Sequence, residues 1–538
     1  MSAWWAGLWP GSVTSLEFPL VSSTERSSSG FTHRETLVII AGLMLGMFLA
    51  ALDQTIVAAA LPRIAADLRG ADHLVWIVSA YLLTSTAATP IYGKLSDLYG
   101  RKIVFQTAIV IFLLASVLCG LATTMGQLIA FRALQGVGGG GLIAVAHAAI
   151  ADVVSPRERG RYQGYFASVF AAASVIGPAL GGLFAGSLTW RWIFWINVPL
   201  GLAALAMSQV ALKRLVAKRS HPRIDYLGAL LIAAAVGCVL LLTTMGGNGV
   251  AWASPVAEAL AGTTLALLIL GIVQERRAVE PILPPRIFRE STFVVASVIS
   301  VMAAAGMLGL IVFTPIFLQL VYGLGDGGSG LMLIPLSGGA TVGAVSAGRL
   351  VATTGRYKVF PIIGLGANAA GMLLMASVTS ATPLALAMGY LVLSGAGLGL
   401  VMPVMLVAVQ NVVKARDLGA GTASVDFFRS VGGAFGVAFF GAVLTARLAS
   451  RLGAVPGHEA FSAAPAAVAL LHAGAGALKS APAALHDAVI LAVTRAFHDM
   501  FHVGALIALV ALVIALFLKQ EPLRTAVSTA EEAGAAAR

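Results

Sequence analysis

The sequence predicts an all-α polytopic membrane protein with fourteen transmembrane helices and both termini on the cytoplasmic side. Three observations carry that prediction. Of the 538 residues, 59% are hydrophobic and 11% are charged, against roughly 45–50% and about 25% in soluble domains. Apolar runs long enough to cross ~30 Å of hydrocarbon recur along the chain. Lysine and arginine are unevenly divided between alternate loops. A water-soluble fold cannot cover so much apolar surface with so few charges, which excludes a cytosolic enzyme, a secreted disulfide scaffold and a disordered chain.

The spans fall at 36–60, 74–92, 103–123, 127–150, 162–186, 192–212, 226–246, 256–273, 292–320, 330–353, 359–378, 383–408, 418–446 and 500–518. With cytoplasmic termini, the inner loops and tails hold 25 Lys and Arg and the outer loops hold 7. This is the positive-inside bias of a membrane protein. It also accounts for the formal net charge of +11. No basic run is interleaved with exposed aromatics as a nucleic-acid surface requires. Cys119 and Cys238 lie inside apolar runs without metal-ligand spacing, so both read as small core residues and no metal is expected.

Residues 1–35 form an N-terminal tail with Trp4, Trp5 and Trp9 and a serine-rich stretch, and residues 520–538 a C-terminal tail. No apolar core with a small-residue cleavage site follows the tryptophans, so no signal peptide is read there. Between the tails a short pattern repeats. GKLSDLYGRK at 93–102 and GRLVATTGRYK at 348–358 match at Gly93/Gly348, Leu95/Leu350, Gly100/Gly355 and Arg101/Arg356. The constant offset fits two six-helix halves, 36–212 and 292–519, separated by a linker at 213–291 that carries two extra helices. Such internal repeats are a building plan of secondary transporters. A long Ala-rich outer loop covers 447–499, and its residues 483–499 suit an amphipathic helix running into the last span.

Ionisable side chains within a span are expensive and mark function by default. Five stand out: Asp53 in span one, Arg132 in span four, Glu258 in span eight, and Asp426 and Arg429 in span thirteen. Asp53 is 17 residues from the inner end of its span. That is ~25 Å across at ~1.5 Å per residue. Arg132 is a turn or two from the outer end of span four. The two are at similar depth and can offset each other's burial. Either Asp53 takes up and releases a proton under the influence of Arg132, or the pair is a static tie between helices. Asp426 and Arg429, three apart, share a helix face, as a local pair or as a second proton or substrate site. Glu258 reads as a helix-end charge, and His147 in span four as a core histidine. The glycine runs RALQGVGGGG from Arg132 and SVIGPALGG from Ser174 allow close backbone approach, and Pro178 favours a bend. There is no HExxH, Ser/His dyad or nucleotide loop, so neither an enzyme nor a cofactor is expected.

These residues together resemble the major facilitator superfamily, and within it the fourteen-span drug:proton antiporters of the EmrB/QacA type. The resemblance covers about 36–519. The first-span motif LDxTIVxxALP is matched from Leu52 and Asp53 to Pro62. The loop motif GxLxDxxGRK is matched at Gly93, Leu95, Asp97, Gly100, Arg101 and Lys102. RxxQGxGgg is matched at Arg132, Gln135, Gly136, Gly138 and Gly139. The antiporter motif gxxxGPxxGG is matched at Gly177, Pro178, Gly181 and Gly182, with Ala173 in place of its first glycine. WRWIFxINxPxG at 190–201 is also typical of that family.

The resemblance implies a role for each of these positions. Asp97 and Arg101 would latch the cytoplasmic gate, with Asp97 facing the N-terminus of a helix of the second half. Arg132 and Asp53 would couple protonation to gating, and Gly177 and Pro178 would shape the antiporter interface. The second copy of the loop has Ala352 where the first has Asp97, so the latch is one-sided. The expected activity is proton-driven export of hydrophobic, often cationic compounds across a bacterial inner membrane. Lipids surround the chain, and a periplasmic adaptor is a partner the resemblance allows. Export of a lipid or native metabolite is the alternative.

Overall fold

The structure, a computed structural model, describes residues 32–69, 73–213, 225–247, 254–323, 333–453 and 483–523. Readings of the first thirty-one residues, of 454–482 and of 524–538 lie outside the described residues.

The longer helices are α1 (His33–Leu68), α2 (Leu74–Tyr99), α3 (Arg101–Leu121), α4 (Met125–Val153), α5 (Pro156–Ser187), α6 (Asn197–Ala211, preceded by the single turn Trp192–Trp195), α7 (Tyr226–Gly247), α8 (Pro255–Arg277), α9 (Ser291–Tyr322), α10 (Ile334–Thr354), α11 (Val359–Met375), α12 (Leu384–Val412), α13 (Leu418–Gly453) and α14 (Ala483–Leu516). By length and composition, 10 of the described helices can cross a membrane. Several helices run past the apolar stretches: α1 reaches Leu68, α2 Tyr99 and α13 Gly453, and α5 begins at Pro156. Helix α14 begins at Ala483 and runs into the last span, as the helix expected over 483–499 does. Apolar runs mark where a helix meets hydrocarbon, and backbone hydrogen bonding carries it beyond that limit.

Local chemistry sets the ends. Thr32 and Glu35 form a reciprocal capping box at the start of α1. Thr124 accepts from the Gln127 amide at the start of α4, and Ser254 accepts from Ala257 ahead of Pro255 at the start of α8. The matched glycines of the repeat explain each other. Gly100 (φ 91) breaks α2 from α3, and Gly355 (φ 69) ends α10. Positive φ is accessible to glycine at little cost.

One apolar core is drawn from α1 to α6, and another from α9 to α14. Helices α7 and α8 pack on each other, and α7 also rests on α2 and α13. The main contacts between the two groups are α5 with α10 and α2 with α13. Both are glycine contacts at one end of the molecule. A Cβ at Gly164 would lie 2.9 Å from the Val345 Cα, and one at Gly160 would lie 2.9 Å from the Gly348 carbonyl oxygen. A Cβ at Gly348 would overlap the Gly160 carbonyl, and one at Gly93 would overlap Ala423. Toward the other end α5 and α10 diverge: nothing lies within 4 Å of a Cβ at Gly182, Gly186 or Gly338. The molecule is closed at the end that carries the repeated loop motif and parted at the opposite end.

The contact predicts its own disruption. Gly348→Val would force α10 off α5 at a cost of about 1–3 kcal/mol to the closed arrangement. A cysteine pair across the α5–α10 contact should then cross-link more slowly, whereas Gly338→Val should leave the rate unchanged.

Candidate functional site

Helix α1 carries Asp53 into the first core, where its side chain is fully buried. A bare carboxylate there would be untenable, and three groups answer it. Arg132 Nη1 of α4 lies 2.5 Å from Asp53 Oδ2. Gln135 Nε2, one turn further along α4, donates to Oδ1 at 2.9 Å, and Asn197 Nδ2 of α6 donates to the same oxygen at 3.0 Å. Arg132 also donates to Gln135 Oε1 at 2.8 Å and to the Ile77 carbonyl at 3.2 Å. Its guanidinium carbon sits 4.4 Å from the centre of the Tyr81 ring, a cation–π contact in a desolvated place. Ser116 of α3 extends the network from Asn197 to the Phe194 carbonyl. Five helices therefore converge on one carboxylate. Arg132, Gln135 and Asn197 all donate to the carboxylate, so the arrangement is built to hold a charge in a buried place.

The motif glycines and proline lie beside it. Thr55 Oγ1 of α1 donates to the Ala173 carbonyl of α5 at 2.9 Å, and a Cβ at Gly177 would overlap that hydroxyl. Pro178 leaves the Ser174 carbonyl without its helical donor. Gly181 is buried and Pro178 exposed.

The second constellation lies at the closed end. Asp97, past the apolar stretch of α2, accepts from the backbone amides of Gly419 and Ala420 at 2.9 Å each. These are the first free amides of α13, where the helix dipole favours an anion. Gly93 and Gly419 lie at this crossing of α2 and α13, where a side chain on Gly419 would overlap Asp97 and Arg101. Arg101 holds the other side of Asp97 at 2.8 Å and Asp152 of α4 at 2.6 Å. Burial pushes the Asp97 carboxyl up to about 6, against the pull of Arg101 and the two amides.

Three more contacts close the same end, and sequence reasoning missed them. Arg157 donates to the Ala352 and Thr353 carbonyls at the end of α10, at 2.9 and 3.0 Å. Buried Arg159 donates to Val154 and Gln410 carbonyls at 3.0 and 3.1 Å. The segment after α8 bridges the two groups of helices: Glu280 pairs with Lys94 of α2, and Arg286 grips Asp417 at 2.7 and 2.6 Å just before α13. The signal for the first two was the density of arginine in PRERGR immediately after a helix end, where free carbonyls collect.

Asp426 and Arg429 are in contact, at 2.9 Å. Asp426 also meets His147 of α4, with Nδ1 to Oδ2 at 2.7 Å. The histidine read as a core residue is thus bonded to a carboxylate of the other helix group. Glu258 lies in the first turn of α8, as a helix-end charge.

A bundle of long apolar helices built on a repeated loop motif, with two cores touching at one end, defines a polytopic membrane transporter. Residues 43–437 match the family model described as Major Facilitator Superfamily, and the chain belongs to that family. It is 35% identical over 528 residues to the multidrug transporter protein MdtP of Bacillus subtilis, covering 94% of this chain and 96% of that one. It is 35% identical over 427 residues to multidrug resistance protein 3 of Bacillus subtilis, covering 79% and 82%. An MFS-type transporter of Mycobacterium tuberculosis, Rv1877, is 40% identical over 500 residues, covering 92% and 71%. Among solved structures, the human organic anion transporter MFSD10 (TETRAN) superposes with a TM-score of 0.62 at 13% identity, over 89% of this chain and 99% of that one. The proton:xylose symporter XylE gives 0.61 at 15% identity, over 92% and 99%. These two share the fold. The family consists of transporters, and the chain is not an enzyme.

Two outcomes follow from the geometry. Arg132→Ala strips a buried carboxylate of its cation and should cost about 3–5 kcal/mol, read as a lower unfolding temperature in detergent, with Asp53→Asn costing less. At the latch, Asp97 binds its proton more tightly when closed than an ordinary carboxylate in water does. Closing therefore takes up a proton, and falling pH through 6 toward 4 should favour the closed latch. Spin-label distances between the α2 and α13 ends should report this in wild type and lose it in Asp97→Asn.

Proposed function

We propose that this chain is a proton-coupled multidrug exporter of the fourteen-span EmrB/QacA type. Its halves, 36–212 and 292–519, rock about a central cavity while the linker 213–291 contributes two further spans. The termini and the latch are cytoplasmic, and the membrane is the bacterial inner membrane, a placement supported by the bacterial relatives. The names of MdtP and multidrug resistance protein 3 support a hydrophobic, often cationic cargo.

The observation that carries the reading is Asp53. It is a fully buried carboxylate surrounded by donors, in the helix group that is closed at the latch and parted from its partner at the other end. A proton entering from outside neutralises Asp53. Arg132, Gln135 and Asn197 are then released from a full negative charge, and the cost of burying the site changes with the proton. Asp97, bound to the α13 amides, holds the cytoplasmic end shut while the outer end is open. Substrate leaves outward as protons enter. A membrane potential contributes about 2.3 kcal/mol per net charge per 100 mV.

The test is dye transport by purified protein in liposomes with an imposed pH gradient. Wild type should move a cationic dye only when the gradient is present, and Asp53→Asn should abolish that movement. A folded wild type that moves no cationic dye would redirect the reading to lipid or metabolite export. Equal transport by the two forms would remove Asp53 from the coupling path.

A further inference from the structure

His147 and Asp426 are titratable side chains bonded to each other across the boundary between the two helix groups, and each is nearly fully buried. Neither belongs to the Asp53 network or to the latch. His147 lies six residues before the end of α4, and Asp426 eight residues after the start of α13. At ~1.5 Å per residue both sit ~9–12 Å above the latch. Facing a carboxylate, Nδ1 carries hydrogen and donates to Oδ2. The other carboxylate oxygen, Oδ1, is 2.9 Å from Arg429 Nη2 but off the line a hydrogen bond needs. Arg429 is itself 30% exposed. Asp426 is therefore hydrogen-bonded to the ring of the other half and ion-paired, without a hydrogen bond, to its own helix.

We propose that protonated His147 and a cationic substrate compete for the Asp426 carboxylate. In the arrangement closed at the latch, His147 occupies Asp426 as an internal cation, and no external cation can bind there. Rocking that opens the latch end moves α4 away from α13 and separates the ring from the carboxylate. Asp426 then faces the inner cavity and takes a cation from that side. On return, an imidazolium that has gained its second proton on Nε2 displaces the cargo. One carboxylate and two alternative cations, one of them fixed to the opposite half, let binding at Asp426 alternate with the rocking that Asp53 drives. This rests on the exporter reading above and names the residue that sets its selectivity for positive charge.

The surroundings isolate the pair. On α5 the neighbour of the ring is Phe166, with centroids 5.5 Å apart. On α12 it is Gln410, which donates to the His147 carbonyl and to Thr422. On α13 the charged neighbour is Arg429. On α4 itself, Arg132 is engaged with Asp53 and Asp152 with Arg101. On α2, Lys94 and Asp97 are engaged with Glu280 and Arg101.

The experiment is equilibrium binding of tetraphenylphosphonium to purified full-length protein from about pH 5.5 to about pH 8. Wild type should bind at least tenfold more weakly at the acid end. His147→Gln should bind tightly with that dependence flattened, His147→Lys weakly at every pH, and Asp426→Asn weakly at every pH. The double variant His147→Gln with Asp426→Asn should bind no more weakly than Asp426→Asn alone. Size-exclusion and unfolding profiles identify variants that fold. Retention of the wild-type pH dependence by folded His147→Gln, or unchanged binding by folded Asp426→Asn, would overturn the inference while leaving the exporter reading intact. A wild type that binds no tetraphenylphosphonium at any pH would overturn both.

Discussion

A carboxylate cannot stand alone in a hydrocarbon-facing bundle, and the burial of Asp53 organises the first half of this molecule. The desolvation of an ion is offset only when geometry supplies a counter-charge and hydrogen bonds to its lone pairs. Arg132 supplies the charge, and Gln135 and Asn197 supply the bonds. Those three residues come from α4 and α6, and Ser116 ties in α3. The helices around Asp53 are thereby fixed in rotation as well as position, because a polar residue turned away would leave buried donors empty. Glycine then permits the approach: GVGGGG lets α4 lie directly against α2 and α3, with Gly138 over the Phe112 backbone and Gly140 over the Ser85 carbonyl.

Much of this was legible in the sequence because hydrocarbon makes polarity conspicuous. The depth argument from helical rise brings Asp53 and Arg132 to one level, and the structure places them in contact. The same arithmetic applied to His147 and Asp426 would have paired them too. Counted from the closed end, both lie within about two turns of each other in depth. They were missed because a histidine is a common core residue and because the second helix of the pair is far along the chain. Gln135 and Asn197 stood in recognised motifs without a role. Their signal was chemical: a buried amide must find partners, and Asp53 has lone pairs at their level that Arg132 alone does not fill. Arg159, gripping carbonyls of α4 and α12, left no hydropathy signal because it sits beside a loop. The helix ends were the least legible feature: α13 runs past its apolar stretch to Gly453, where Leu448 and Leu452 pack into the core and Arg451 pairs with Asp499 of α14.

The closed end is held by unlike devices. Asp97 on the α13 amides is an ion on a dipole, Arg157 on the α10 carbonyls is its mirror with the charges reversed, and Glu280 and Arg286 tie down the strap after α8. The glycine contacts between α5 and α10 add close packing. Each is modest alone. Together they must all be released in one movement, because both groups of helices are close-packed and deform little. This makes the end bistable instead of gradually yielding. The parted end carries no corresponding grip between α5 and α10 at Gly182, Gly186 and Gly338.

Helix α4 links these parts mechanically. It bears Arg132 near one end, His147 toward the other, and Asp152 at its last turn beside the latch. From Arg132 to His147 is fifteen residues, ~22 Å of rigid helix. In the proposed mechanism protonation of Asp53 changes what Arg132 must satisfy, and a tilt of α4 in response would move His147 against Asp426 and Asp152 against Arg101. Coupling between distant sites needs an element with two positions whose balance both sites bias. A rod packed without side chains along its glycine face, and anchored by ions at three levels, meets that requirement. A flexible or interrupted helix would not, since it would absorb the displacement locally. The glycines of α4 thus matter to the proposed exchange as much as the charges it carries: they let the helix lie directly on its neighbours while its rigid backbone keeps the spacing of those charges fixed.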